Sequence, residues 1–329
     1  MNLKWRKSKA KNDSLAIAEK IAEKYKIDPY NLEELRDIVL AEVRGEVIKK
    51  ERKGNSYYVT GIEEWFTEKI MPSTVVLSED DYKKALYRSF RLLVLGNIAK
   101  TDFGSSRQRD FGQIWTDFTR GFLGEIGIEK FFKEKLGLEI NLEEIELGDV
   151  KKFLPSDITK VKEGNTWRNT KMNVSIKTSK IGSLWLDIGS QLQHSDAFIF
   201  IKIALTTDHL LSFMKDNGLV ARLVKMGEQL GEVSDEQTEI DSLNKRIKDI
   251  KPVPVYIAGF ALKRDMQEGS LIVHQTKRKR IVVGGIGEYR KETADEVIGL
   301  GDILPGKHLA CISSLRWKKE DWNTIKKGV

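Results

Sequence analysis

A short strand-like stretch, NVSIKTSK, places a lysine where it could take part in catalysis. Side chains alternate along a strand, so Ser175 and Lys177 share one face. A lysine in a polar cleft can lower the pKa of an attacking water and stabilise the charge that develops on a phosphate. The alternative is an ordinary half-exposed strand whose lysine extends to solvent.

A carboxylate for this lysine is predicted on the neighbouring strand. Asp157 begins the segment DITKVKE, which we expect to pair with NVSIKTS as an antiparallel hairpin around a turn near Thr166. In that register Asp157 lies opposite Ser175, within one or two residues, and therefore beside Lys177.

Two glutamates occur in the helix predicted over QIWTDFTRGFLGEIGIEKFFKEKLG, which ends at Gly137. At about 100° per residue, Glu125 and Glu129 fall one turn apart within an arc of apolar side chains. That arc comprises Phe118, Phe122, Ile126, Phe132 and Leu136. Buried carboxylates are costly unless they are paired, hydrogen-bonded or metal-bound, so this placement favours a functional role; a structural ion pair is the alternative.

An aspartate, a lysine and inward-facing glutamates together predict a site for a hard divalent cation. Mg²⁺ prefers oxygen ligands and retains waters, one of which can attack phosphorus. The lone Cys311 excludes an intramolecular disulfide, and the four histidines lack the spacing of a zinc site. The chemistry that these residues favour is phosphodiester cleavage.

The elements that must position these residues fall into two regions. Residues 1–110 are predicted to be mainly helical, and the polar loop TDFGSSRQRDFG separates them from residues 111–329. Over 111–205 the order of helix, hairpin, mixed segment and strand predicts a mixed sheet with helices on its faces. A charged helical insertion at 226–250 and several C-terminal strands follow.

Charge and hydropathy limit the class of partner. The net charge of +7 is compatible with a nucleic-acid partner, although a solvated lysine-rich surface explains it equally well. No apolar run approaches membrane-spanning length and the N-terminus lacks a secretory signal, so we expect a soluble, cytoplasmic protein with no membrane association.

A basic turn stands between two strand-like runs near the C-terminus. The segment HQTKRKR contributes Lys277, Arg278, Lys279 and Arg280, which we predict to contact DNA phosphates from the tip of a hairpin. An exposed charged turn without a function is the competing interpretation.

Three short motifs follow one another in a recognisable order. Gly124–Glu125 on a helix, PSD at Pro155–Asp157 and SIKTS at Ser175–Ser179 resemble the PD-(D/E)XK nuclease superfamily, and in particular type II restriction endonucleases. The resemblance covers about residues 111–205. It implies an α/β (α+β) fold whose core is a helix, a three-stranded meander, a helix and a strand.

The resemblance also implies a role for individual residues. Asp157 would bind the metal, Lys177 would be the catalytic lysine, and Glu125 would be the first-helix glutamate directed at the metal or its water. The chain departs from the family pattern at Ser156, which separates Pro155 from Asp157, and at Ser175, where the family usually has an acid.

The serine at position 175 removes one metal-ligating carboxylate. The candidates to replace it are Glu125, Glu129 and Asp187, in that order. If none of them reaches the metal, the fold would be an inactive descendant that only binds DNA.

The sequence therefore predicts a Mg²⁺-dependent endonuclease that cuts double-stranded DNA, as a sequence-specific type II restriction enzyme. The class implies a homodimer, because a duplex is cut symmetrically. A structure-specific resolvase or repair nuclease of the same fold and a non-catalytic DNA-binding protein are the alternatives.

Overall fold

The computed structural model describes residues 3–27, 29–95, 110–142, 156–189, 191–301 and 303–329. Within these ranges the chain is a mixed α/β protein with helices and several sheets. Most of the predicted loop TDFGSSRQRDFG, and Pro155 of the PSD motif, lie outside the described residues.

The helices are numbered in chain order. They are α1 (Ala10–Lys24), α2 (Leu32–Arg44), α3 (Ile62–Glu64), α4 (Glu79–Leu95), α5 (Phe111–Phe131), α6 (His209–Asp216), α7 (Leu219–Gln229), α8 (Glu236–Arg246), α9 (Lys263–Glu268) and α10 (Lys319–Gly328). Of these, α1, α2, α4, α5 and α8 lie in segments that the sequence predicted to be helical. A π-helical segment, Phe132–Leu136, continues α5 as far as Gly137, whose φ of 69° ends the helix in the left-handed region. The predicted end of this helix is confirmed.

Among the described residues the strands form four sheets. They are β1 (Leu3–Trp5), β2 (Lys50–Lys53), β3 (Ser56–Val59), β4 (Thr74–Leu77), β5 (Ile140–Leu142), β6 (Ile158–Glu163), β7 (Thr166–Asn169), β8 (Val174–Lys180), β9 (Trp185–Gly189), β10 (Ala197–Ile203), β11 (Val253–Leu262), β12 (Leu271–Gln275), β13 (Arg280–Glu288), β14 (Glu296–Val297) and β15 (His308–Cys311). The predicted mixed α/β class is confirmed by this alternation.

The sheet that concerns the site has the order β4-β11-β10-β8. β8 runs parallel to β10, while β10 and β11, and β11 and β4, pair antiparallel. The sheet is therefore mixed, as predicted. Because β8 lies at its edge, one side of the strand is open to other segments.

Both faces of this sheet are covered by apolar side chains. On β10, Ile199 and Ile201 belong to the cluster that packs against α5, whereas Phe198 and Phe200 belong to the cluster that includes α1 and α2. This burial on both faces explains why the strand AFIFIKI is almost continuously apolar rather than alternating.

The N-terminal region supplies strands as well as helices. β1, β2 and β3 form a three-stranded antiparallel sheet, and β4 joins the central sheet through β11. The division at residue 110 stays a prediction. In the predicted insertion, Glu236–Arg246 forms a helix without a buried residue, capped by the Asp235 side chain.

The predicted hairpin between DITKVKE and NVSIKTS is wrong. β6 pairs with β7 and β5 in a separate antiparallel sheet, with Lys162 opposite Trp167 and Val161 opposite Ile140. TWRN, which the sequence suggested as a turn, has a β-branched and an aromatic residue and forms the strand that pairs with β6.

The predicted buried face is confirmed only in part: Phe132 is fully buried and Phe122, Ile126 and Leu136 pack partly buried against the core, but the most buried side of α5 is a different one. Its buried residues are Thr119, Arg120, Leu123, Gly124, Gly127, Ile128 and Phe131. Two glycines allow the helix to approach the sheet closely: a Cβ on Gly124 would lie 2.0 Å from Cγ2 of Thr178, and one on Gly127 would lie 2.6 Å from Cγ1 of Val255. Residues without side chains therefore form the centre of the contact, and a search for large apolar residues misses it.

In the part of the chain that the structure describes, no helix combines the length and the apolar character needed to cross a membrane.

Candidate active site

Asp157 is attached to the edge of the central sheet by its own backbone. Its N–H donates to the carbonyl of Val174 at 2.8 Å, and its carboxylate accepts a hydrogen bond from the N–H of Ile176. The hydroxyl of Ser156 accepts from the N–H of Val174 at 3.0 Å and donates to the carbonyl of Ile158 at 2.6 Å. Ser156 and Asp157, the two residues before β6, are thus hydrogen-bonded to β8, whereas β6 itself pairs with other strands.

This arrangement brings Asp157 beside Ser175 and Lys177, as expected, by a different route. Burial raises the pKa of Asp157, and the Ile176 N–H, the Lys177 charge and a hydrogen bond with Ser175 counteract that rise. The serine that replaces an acid in the family pattern thus contacts the aspartate that the resemblance assigns to the metal.

Lys177 lies on β8 within the electrostatic influence of the Asp157 and Asp187 carboxylates. Burial lowers the pKa of its ammonium group, while Asp157 and Asp187 act in the opposite direction. A lysine in this position is partly desolvated and surrounded by negative charge, which differs from the fully solvated lysine of an ordinary edge strand.

Glu125 joins the site from α5. Burial raises its pKa to about 8, with further contributions from the negative charges of Asp157 and Glu129, and the cation of Arg88 opposes them. Two carboxyl groups near each other in a desolvated site cannot both ionise easily, so Glu125 holds a proton at neutral pH when no cation is bound.

The other carboxylates predicted to replace the missing acid occupy different environments. Glu129 is exposed, contrary to the prediction that it faces inward, because the buried side of α5 follows Gly124 and Gly127. Asp187 on β9 accepts from Lys307 Nζ at 3.0 Å and from the N–H of Gly189 at 2.8 Å. Glu125 is thus the carboxylate whose ionisation Asp157 influences most directly.

The donor set suits a cation bound by few protein ligands. Among the described residues, no group of three or more His, Cys, Asp or Glu side chains is arranged to hold a metal ion. Mg²⁺ is commonly held by one or two carboxylates, with waters and substrate phosphates completing its coordination. Asp157 and Glu125 supply two such carboxylates, and their mutual repulsion is what a cation would relieve.

Two residues near this group were not identified from the sequence. Arg88 on α4 acts on the charge of both Glu125 and Glu129, and Lys307 neutralises Asp187. Neither residue belongs to the three motifs, and each comes from an element that is distant from them in sequence. The packing of α4 against α5 and the pairing of β15 with β9 bring them there.

The four residues of the basic turn divide into two pairs. Lys279 forms an ion pair with Glu296, and Arg280 contacts Asp295 at 3.2 Å. Lys277 and Arg278 are exposed in the turn between β12 and β13, which hydrogen bonds of Thr276 organise. In the described ranges neither of these two side chains has an ion pair, so their charges face solvent.

Comparisons with protein-family models, with curated proteins and with solved structures found no match.

Proposed function

We propose that the chain is a Mg²⁺-dependent endonuclease that hydrolyses double-stranded DNA, with a core of the PD-(D/E)XK type and sequence-specific cleavage. The observation that carries the proposal is the grouping of Glu125, Asp157 and Lys177 around the edge of β8. One helix, one loop and one strand supply these residues, in the order of the motifs.

Each residue has a role that its environment supports. Asp157 is fixed by backbone hydrogen bonds, so its carboxylate is oriented before any ligand arrives. Glu125, once deprotonated, would be a second oxygen ligand for the cation. Lys177 lies within the field of Asp157 and stabilises negative charge on a phosphate that is placed beside them. Bound Mg²⁺ would supply Lewis-acid chemistry and an activated water.

Lys277 and Arg278 support contact with a duplex away from the cleavage point. Their cations, which have no ion pair among the described residues, stand in the exposed turn between β12 and β13, where they can reach phosphates. Sequence specificity and a homodimer are parts of the proposal that follow from the enzyme class.

Cleavage of a long DNA of known sequence in Mg²⁺ tests the proposal. The wild-type protein should yield discrete fragments whose mapped ends share a sequence. Lys177→Ala should abolish cleavage while binding to the same DNA in Ca²⁺ changes by less than about threefold. Lys180→Ala, an exposed lysine at the end of the same strand, is the matched control and should cut normally.

The outcomes separate the alternatives. Cleavage by Lys177→Ala at the wild-type rate overturns the site assignment. Fragments that depend on DNA junctions or lesions rather than on sequence identify a resolvase or repair nuclease. DNA binding without cleavage in Mg²⁺ or Mn²⁺ identifies a non-catalytic DNA-binding protein, an alternative favoured by Ser175 and by the absence of a three-carboxylate group from the described residues.

A further inference from the structure

A cavity of about 820 Å³ lies in the central sheet at the C-terminal end of β10. Its walls come from the first turn of α2, from α6, from the segment 248–252 and from the neighbouring ends of β4, β10 and β11. None of Glu125, Asp157, Ser175 or Lys177 lines it. The volume is in the range of pockets that hold small organic ligands.

The inner wall of the cavity is apolar and uncharged. Val76, Leu205, Ile250 and Val253 contribute aliphatic surface. His209 also faces this space, and burial lowers its pKa to about 4, so the imidazole is neutral at physiological pH. Its Nδ1 is hydrogen-bonded to the Tyr82 hydroxyl at 2.8 Å and its Nε2 to the Thr116 hydroxyl at 3.2 Å.

One hydroxyl on this wall is available to a ligand. Ser212 on α6 is only 5% exposed and lines the cavity. A serine hydroxyl can donate one hydrogen bond and accept others, so it can bond to a carbonyl or hydroxyl group of a ligand in the cavity.

The charged groups of the cavity lie near its mouth and balance one another. Glu33 and Glu34 are on the α2 side, while Lys248 and Lys251 are on the opposite segment. Asp249 is bound to Lys215 at 2.7 Å. The Glu34 carboxylate also accepts from the N–H of Asn31 in a capping box, so it serves the helix. No single sign of charge dominates, which does not favour a strongly ionic ligand.

We propose that this cavity binds an uncharged, mainly apolar small molecule whose one hydrogen-bonding group meets the hydroxyl of Ser212. The cavity volume, the neutral inner wall and the Ser212 hydroxyl on that wall support this class of ligand. The inference is independent of nuclease activity, because it uses none of the residues assigned to cleavage.

Titration of the full-length protein with Nile red, a neutral apolar dye that carries a carbonyl acceptor, tests the inference. The dye should bind with one site per chain and gain fluorescence. Leu205→Trp fills the cavity and should weaken binding at least about tenfold. Leu211→Trp replaces an exposed leucine on α6 outside the cavity, and it should bind the dye within about twofold of wild type.

Two further measurements keep the test decisive. Ser212→Ala should weaken Nile red binding by about threefold, which corresponds to the loss of one hydrogen bond. If Leu205→Trp does not fold, Thr206→Trp at the exposed mouth replaces it. Unchanged binding by the folded cavity variant overturns the proposal. If the anionic probe anilinonaphthalene sulfonate binds the cavity as tightly as Nile red and displaces it, the assignment to an uncharged ligand is overturned.

Discussion

The backbone N–H of Asp157 donates to the carbonyl of Val174 at 2.8 Å, three residues before Lys177 on the same strand. This hydrogen bond, together with the acceptance of the Ile176 N–H by the Asp157 carboxylate, makes the candidate acid part of the sheet edge. The position of Asp157 relative to Lys177 is therefore set by backbone geometry rather than by a flexible loop.

We expect Asp157→Ala to lower the free energy of unfolding by about 1–3 kcal/mol, because the Ile176 N–H loses its acceptor. Asp157→Asn retains an acceptor oxygen and should lose less than half of that amount. Urea unfolding of both variants gives the comparison. Equal losses would show that the hydrogen bond does not contribute.

Removal of the Asp157 charge should also affect Glu125. Since Asp157 is one cause of the raised Glu125 pKa, Asp157→Asn should shift that pKa from about 8 towards its ordinary value. Carbon-13 NMR of the Glu125 carboxyl group measures it. An unchanged pKa would mean that burial alone holds the proton.

Glu125→Gln should stabilise the metal-free protein at alkaline pH. A carboxyl whose pKa is raised on folding adds stability that is present at low pH and is lost as pH rises from about 4.5 through about 8. At pH 9 the variant should be more stable than wild type by up to about 5 kcal/mol. Glu129→Gln, at an exposed position one turn away, should change the unfolding free energy by less than about 0.5 kcal/mol.

The same variant links protonation to metal binding. Because Glu125 must release its proton before it can act as a ligand, Mg²⁺ affinity should rise with pH up to about 8. In Glu125→Gln this dependence should be absent. A pH dependence that persists in the variant would assign the second ligand to another carboxylate.

The sequence predicted the proximity of Asp157 and Lys177 although the strand pairing on which that prediction relied is wrong. Alternation placed Ser175 and Lys177 on one face, and Asp157 lies close to them because its own N–H and carboxylate are hydrogen-bonded to β8. The register was not predictable, because β7 competes for β6 and its short TWRN run lacks a strong strand pattern. Arg88 and Lys307 required the tertiary structure.

The buried side of α5 was predicted only in part, for a different reason. Periodicity counts large apolar residues, and it gave no weight to Gly124 and Gly127, which form the contact with the sheet. The repeat GFLGEIG was the available signal: small residues at a spacing of three indicate close helix packing. Glu125 lies beside this contact, and Glu129 lies outside it.

Gly124→Ala should destabilise the protein by about 1–3 kcal/mol, because the new Cβ would overlap Cγ2 of Thr178 next to Lys177. Gly121→Ala is the matched control on the same helix, where a Cβ meets nothing within 4 Å. It should stabilise by about 0.5–1 kcal/mol through helix propensity. Thermal unfolding measures both, and Thr178→Ser combined with Gly124→Ala should recover part of the loss. Similar effects of the two single substitutions would contradict the close packing.

The exposed cations of the β12–β13 turn should contribute to DNA affinity through phosphates alone. In Lys277→Ala/Arg278→Ala, the slope of the logarithm of the DNA-binding constant against the logarithm of salt concentration should decrease in magnitude by about 2. The position of cleavage should not change. Lys245→Ala/Arg246→Ala removes the same two charges from the exposed end of α8 and is the control. An equal decrease in both variants would indicate a general charge effect and not a contact at the turn.

A buried charge cluster beneath the sheet permits a last prediction. Glu42 lies 3.5 Å from Lys69 Nζ and 3.6 Å from Lys202 Nζ, and all three side chains are at most 1% exposed. Two lysines share one carboxylate, and burial lowers the pKa of Lys202 to about 8. A lysine pKa that is lowered on folding makes the free energy of unfolding increase as pH rises from about 8 to about 10.5.

Lys202→Met should remove this increase and raise the free energy of unfolding at pH 7 by about 1–3 kcal/mol, because Glu42 and Lys69 then form an ion pair with no net charge. Glu42→Gln should instead destabilise by more than about 3 kcal/mol, since it leaves two buried ammonium groups without a counter-ion. Urea titrations at pH 7 and pH 10 distinguish these effects, and a destabilised Lys202→Met would show that Glu42 needs both lysines.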